Sequence, residues 1–198
     1  MAEIALLSRP ALPFAPLGHA GGVLRIEPLP EGRLLHALAP AEAAEDAAAS
    51  LAALFGDAPH ALRPYAPGQW FLVGDAPLRP GDLARMGERL DTCAALSDQS
   101  HGRVRLALEG EGARRLLAKG TALDLGDRAF PVGASAQTLF GHIGVHITRT
   151  APDRYELIVL RSFAASLWHD LCHAGAEFLS DEGDGRDVAA RRHHASGQ

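Results

Sequence analysis

Arg103-Val104-Arg105-Leu106-Ala107-Leu108-Glu109-Gly110-Glu111-Gly112-Ala113-Arg114-Arg115-Leu116-Leu117-Ala118-Lys119-Gly120 changes its apolar period halfway along. Polar and apolar side chains alternate from Arg103 to Leu108, the pattern of a half-buried β-strand. From Glu111 to Lys119 the apolar residues Ala113, Leu116 and Leu117 recur at helical spacing, and Gly120 closes the helix. A strand that turns directly into a helix is the repeating unit of a mixed fold.

Working outward, the same rhythm recurs on both sides. A long loop, Thr121 to Ala136, contains Pro131 and Gly133. Strands are predicted over Gln137–Phe140, Ile143–Thr148 and Tyr155–Leu160, the last two joined as a hairpin at Pro152-Asp153. Ser162 is expected to cap a long helix that runs through Phe178. Toward the N-terminus, Val23–Ile26 reads as a short strand stopped by Pro28 and Pro30, and Leu34–Leu38 as another. Pro40 then opens a helix whose stripe is Ala44, Ala47, Ala48, Leu51, Leu54 and Phe55, ended by Gly56. A Pro-rich turn leads to the buried strand Gln69–Val73, and a helix follows with Asp82 near its start and Leu83, Met86 and Leu90 on one face. Cys93–Leu96 leads on to Asp98-Gln99-Ser100-His101-Gly102.

This order predicts an α+β fold of two successive ferredoxin-like (split βαβ) halves. The expected divisions are an N-terminal arm over 1–20, a first half over 21–95, a second half over 96–179 and a disordered tail over 180–198. The tail is rich in Asp, Gly, Arg and His and has few apolar residues to bury. A chain of 198 residues, 47% hydrophobic and 22% charged, has the composition of a soluble globular protein. Its net charge of −5 gives no general attraction to nucleic acid or anionic membrane. Cys93 and Cys172 form no metal-type pair and are expected to be reduced thiols. Arg9, Pro10 and Pro13 interrupt the apolar start, so neither a signal peptide nor a membrane span is expected, and the chain is expected in the cytoplasm.

Several constellations have residue types that could carry chemistry. Gly110-Glu111-Gly112 lies between a strand and a helix, where a dinucleotide fingerprint would sit, but Arg115 stands at the third glycine position. Glu109 and Glu111 would repel a pyrophosphate, so a plain strand-to-helix turn is expected. His169 and His173 share a helix face at the spacing of zinc proteases, yet Asp170 replaces the Glu and no third ligand follows. Solvated helix-face histidines are the reading preferred over metal there. His142 and His146 would share a face of a strand, and His193-His194 falls in the tail. Trp70, Arg161 and Trp168 remain as candidate subunit-interface residues, since aromatic and arginine side chains anchor interfaces. For both tryptophans core packing is the competing reading. No catalytic, cofactor-binding or metal-binding residue is assigned.

The run Asp98-Gln99-Ser100-His101-Gly102-Arg103 through Leu106 and Gly110 to Arg115–Gly120 resembles the gamma subunit of heterotetrameric sarcosine oxidase. So do Ala122–Leu125, Arg128–Pro131, Gly133, Ala136–Leu139, Arg161-Ser162-Phe163-Ala164, Leu167-Trp168 and the strand Gln69–Gly74. That family is similar in fold to the folate-binding domain of glycine-cleavage aminomethyltransferases. The resemblance implies a non-catalytic subunit, inactive alone, of a flavin-dependent oxidoreductase acting on CH–NH donors. Its partners would be alpha, beta and delta chains. The alpha and beta chains would carry NAD, FAD, FMN and the tetrahydrofolate site, and the delta chain zinc. The complex would convert sarcosine to glycine with hydrogen peroxide and formaldehyde or methylene-tetrahydrofolate. Aminomethyltransferase-like proteins place acidic residues after a Gly-Gly hairpin start, whereas Gly141-His142-Ile143-Gly144-Val145-His146 has none. Folate binding is therefore not carried over. The rival expectations are a free-standing folate-binding or one-carbon transfer protein on the same fold, and a small metal-dependent hydrolase built on His169 and His173.

Overall fold

Alternating strands place their apolar side chains on one face, and helices with a matching stripe cover that face. A computed structural model describes residues 9–55, 59–91 and 93–180. The strands are β1 (Arg25–Pro28), β2 (Arg33–Leu38), β3 (Leu62–Ala66), β4 (Gln69–Gly74), β5 (Ala95–Asp98), β6 (Arg103–Glu109), β7 (Ser135–Phe140), β8 (Ile143–Ala151) and β9 (Arg154–Leu160). The helices are α1 (Ala44–Phe55), α2 (Asp82–Leu90), α3 (Gly112–Gly120) and α4 (Ala164–Ser180).

One antiparallel sheet has the order β3-β4-β2-β5 and the other β1-β6-β9-β8-β7. The first follows the split βαβ scheme, with α1 between β2 and β3 and α2 between β4 and β5. In the second, β6, β8 and β9 take the corresponding places, β7 is an added edge strand, and the fourth place is filled by β1. The sheets therefore do not sort their strands by position along the chain. Arg25–Pro28 pairs with Glu109–Leu106, while Ala95–Asp98 pairs with Leu38–Leu35 of the first sheet.

Each sheet turns one face to its own helices. Leu35, Ala37 and Leu72 meet Ala47 and Leu51 of α1 and Leu90 of α2. Val104, Leu106, Leu108, Val145, Ile147, Leu157 and Val159 meet Ala113, Leu116 and Leu117 of α3 and Leu167, Leu171 and Phe178 of α4. The other faces oppose each other, with Leu34, Phe71, Val73 and Ile158 in contact between the sheets. This order of layers, helix, sheet, sheet, helix, explains why β6 differs from its expectation. The half-buried strand is buried on both faces from Val104 to Leu108, because a second sheet stands where solvent was expected.

Three other segments differ from their reading. The Pro-rich turn contains β3, with Pro64 on an edge strand where its missing N–H is tolerated. The stretch after Cys93 contributes a short strand, β5 (Ala95–Asp98), at the opposite edge. Ser162 lies inside a single 3-10 turn, Arg161–Phe163, that runs straight into α4, so it does not cap a free helix end. The described part of the arm packs on the fold: Leu12 is buried in the second sheet's core, and Leu17 pairs with Ile26. The tail from residue 181 and the helix-ending Gly56 lie outside the described residues.

Candidate functional site: the seam between the two sheets

Arg105 of β6, His146 of β8 and Glu156 of β9 alternate with the apolar core and reach across the seam. Glu156, between Tyr155 and Leu157, accepts a hydrogen bond from Arg63 Nη2 of β3 at 2.6 Å. Arg105 Nη1 lies 3.8 Å from the same carboxylate, and Arg105 Nη2 reaches Asp75 at 2.5 Å. Arg63 Nε donates to the carbonyl of His60. Burial pulls the Arg63 guanidinium below its ordinary pKa, and Glu156 opposes the shift. One carboxylate thus ties a strand of the first sheet to two strands of the second.

Beside it, an aromatic group fills the seam. Phe71 lies 4.7 Å from Tyr65 and 5.3 Å from His146, measured between ring centres, and the Arg103 guanidinium sits 4.8 Å over the Phe71 ring. His146 is 1% exposed, and its Nε2 stands 2.8 Å from the Pro64 carbonyl, so that nitrogen carries the proton. Its pKa is lowered to about 4, chiefly by burial and further by Arg63 and Arg103, with the Pro64 bond opposing. His36, bonded to Gln69, is lowered as well, first by burial. The seam therefore holds permanent cations and neutral imidazoles. Such a site can fix the two sheets and hold a negative group, while His146 is shut off from solvent and from proton exchange with it.

The residues singled out from the sequence are dispersed. Trp168 is buried and stacks on Phe14 with ring centres 5.2 Å apart, as part of the second core. Trp70 is half-buried against the first core. Arg161 pairs with Glu31 at 3.0 Å and donates to the Arg9 carbonyl, fastening the arm. His169 and His173 are exposed on α4, and His169 meets Phe14 edge-on. Among the described residues no group of three or more His, Cys, Asp or Glu is placed to hold a metal ion. His142 lies in the β7–β8 turn and does not share a strand face with His146. Gly110 has φ +110°, and a Cβ there would overlap the Val23 carbonyl, which accepts from Gly112 N at 2.8 Å. These glycines admit the backbone that leads into β1. Gly110 lines a cleft of about 440 Å³ with Glu109, Glu111, Arg25 and Arg154.

The structure places the Gly144-Val145-His146 stretch within β8. Val145 is fully buried in the apolar core, Gly144 has no side chain, and His146 is enclosed in the seam. Sequence reasoning missed Arg63, Arg105 and Glu156. For Arg105 and Glu156 the signal is a charge inside an otherwise apolar strand, which alternation assigns to solvent, whereas Arg63 lies in the stretch read as a Pro-rich turn.

Comparison with known proteins gives the remaining observations. The fold is similar to a chain of the heterotetrameric sarcosine oxidase from Corynebacterium sp. U-96, at 22% identity and TM-score 0.70, over 82% of this chain and 89% of that one. It is also similar to the glycine cleavage system aminomethyltransferase T from Bartonella henselae, at 18% identity and TM-score 0.54, over 74% of this chain and 45% of that one. At these identities both likenesses establish the fold. No curated protein matches the sequence. A family model described as "Sarcosine oxidase, gamma subunit family" matches residues 44–177. That match takes in strands of both sheets and the greater part of the sequence, and on it the chain belongs to the sarcosine oxidase gamma subunit family.

Proposed function

We propose that this gamma subunit is a non-catalytic scaffold of a heterotetramer whose other members, alpha, beta and delta, carry the chemistry. The family match over residues 44–177 carries this reading. The complex is a flavin-dependent oxidoreductase that demethylates sarcosine to glycine, with hydrogen peroxide and formaldehyde or methylene-tetrahydrofolate as products. FAD, FMN, NAD, tetrahydrofolate and zinc are held by the partner chains. The two halves, 21–95 and 96–179, act as one rigid body, because strand exchange and the Arg63–Glu156–Arg105 bridge join them. Trp70 and Arg161 are the proposed interface residues with exposed surface, and Trp168 supports that surface from inside. The complex is placed in the cytoplasm. Among the described residues no helix is long and apolar enough to cross a membrane.

The test is co-expression of the tagged chain with the candidate alpha, beta and delta chains, followed by affinity purification. A stoichiometric complex with a flavin spectrum that consumes oxygen with sarcosine is the expected result. Recovery of the tagged chain alone, colourless and folded, contradicts it, and tight tetrahydrofolate binding by that chain would favour the one-carbon transfer reading instead.

A further inference from the structure

At one end of the seam a cleft of about 300 Å³ is lined by Arg33, Arg63, Arg105, His60, Asp75 and Glu156, among others. Its charges do not balance. The side chains of Arg63 and Arg105 are only 5% and 7% exposed, and Glu156, at 13%, is the one carboxylate enclosed with them among the described residues lining the cleft. Two enclosed guanidiniums against one enclosed carboxylate leave a single positive charge, and an uncompensated buried charge is expensive. The partner that offsets it is Asp75, whose side chain is 75% exposed and which touches Arg105 from the rim. An ion pair with one member in water contributes little.

Two further features point to a ligand. Arg63 Nη1 is buried and has no hydrogen-bond partner among the described residues, although the other two nitrogens of that guanidinium are engaged. A buried donor in that state costs free energy that an acceptor would recover. A third cation, Arg33, also lines the cleft, with its guanidinium packed against the backbone of Gly74. Planar guanidinium forks match the two oxygens of a carboxylate.

We propose that this cleft binds one carboxylate group, which displaces Asp75 from Arg105 and completes the charge of the Arg63–Glu156–Arg105 cluster. The enclosed excess of one charge is matched by a monoanion, and the cleft's size admits a small organic acid or one acidic side chain. This goes beyond the scaffold reading and does not depend on it. The carboxylate is either a free small molecule or an acidic residue supplied by a neighbouring subunit, and the two sources separate by experiment.

The probe is acetate, titrated into the full chain against chloride at constant ionic strength, with the Nε–Hε resonances of Arg63 and Arg105 followed by NMR. A saturable shift of both is expected. Asp75→Asn removes the built-in competitor without touching the buried residues and should tighten acetate binding about threefold. In the assembled complex the acetate response persists if the natural ligand is a free acid, and disappears if a partner's side chain fills the cleft. Either result supports the site. Shifts that fail to saturate, or that Asp75→Asn leaves unchanged, overturn the proposal.

Discussion

The core under α3 and α4 and the core under α1 and α2 share one plan and differ in substance. The first is built on Phe130, Phe140, Tyr155, Trp168 and Phe178 with a full set of Leu, Ile and Val. The second relies on Ala37, Ala47 and Ala94 around Leu35, Leu51, Leu72 and Leu90. Buried apolar area scales with side-chain size, so the sheet under α3 and α4 is the stable element and the sheet under α1 and α2 leans on it. What it leans through is the seam, where Phe71, Arg63 and Glu156 connect the two. The comparison teaches that the smaller half is held by its neighbour more than by its own interior.

The sharpest way to break this comparison is in the larger core. Trp168→Ala removes the residue that Phe14 stacks on and should destabilise the chain by about 4 kcal/mol in urea unfolding. The seam comes next. Glu156→Gln leaves the Arg63 and Arg105 guanidiniums without their shared carboxylate and should cost about 3 kcal/mol. Hydrogen exchange should then accelerate first in β2, β3 and β4, whereas equal loosening of both sheets would contradict the dependence of one on the other.

His146 sharpens the same point through pH. Its folded pKa of about 4 lies below the ordinary 6.5, so the unfolded chain binds the extra proton between those values. Stability from this group is present above pH 6.5 and is lost as pH falls toward 4, by roughly 2–3 kcal/mol. His146→Gln keeps an N–H donor and should flatten that part of the stability-pH curve relative to the native chain. An unchanged slope would mean that the imidazole is not enclosed. In the smaller core, Leu51→Ala should cost about 2 kcal/mol, at the low end for such a change, because the alanine-rich surroundings can close around it. Arg161→Ala should change stability by less than about 1 kcal/mol, since its pair with Glu31 is partly in water. Its effect belongs instead to complex recovery, if the arm and that arginine face a partner.

The larger core was also the more legible. Ala113, Leu116 and Leu117 were predicted inward and are fully buried, and β6, β8 and β9 stand where alternation put them. Periodicity reports which face a residue shares, which is local information. It carries nothing about what covers the opposite face, so Arg105, His146 and Glu156 were not seen as buried. β3 was hidden by Pro64, a residue that argues against strands except at an edge. The pairing of β1 with β6 joins segments far apart in sequence, and no local signal encodes it. The seam is therefore the part of the molecule that only the assembled fold displays.

The claim that this chain works as one member of a larger assembly is tested most directly by native mass spectrometry of the tagged chain purified from its own cells. The account predicts a single species that contains this 20.9 kDa chain once, together with three different chains and bound flavin. A lone 20.9 kDa monomer at physiological concentration, with no co-purifying chain, would contradict it.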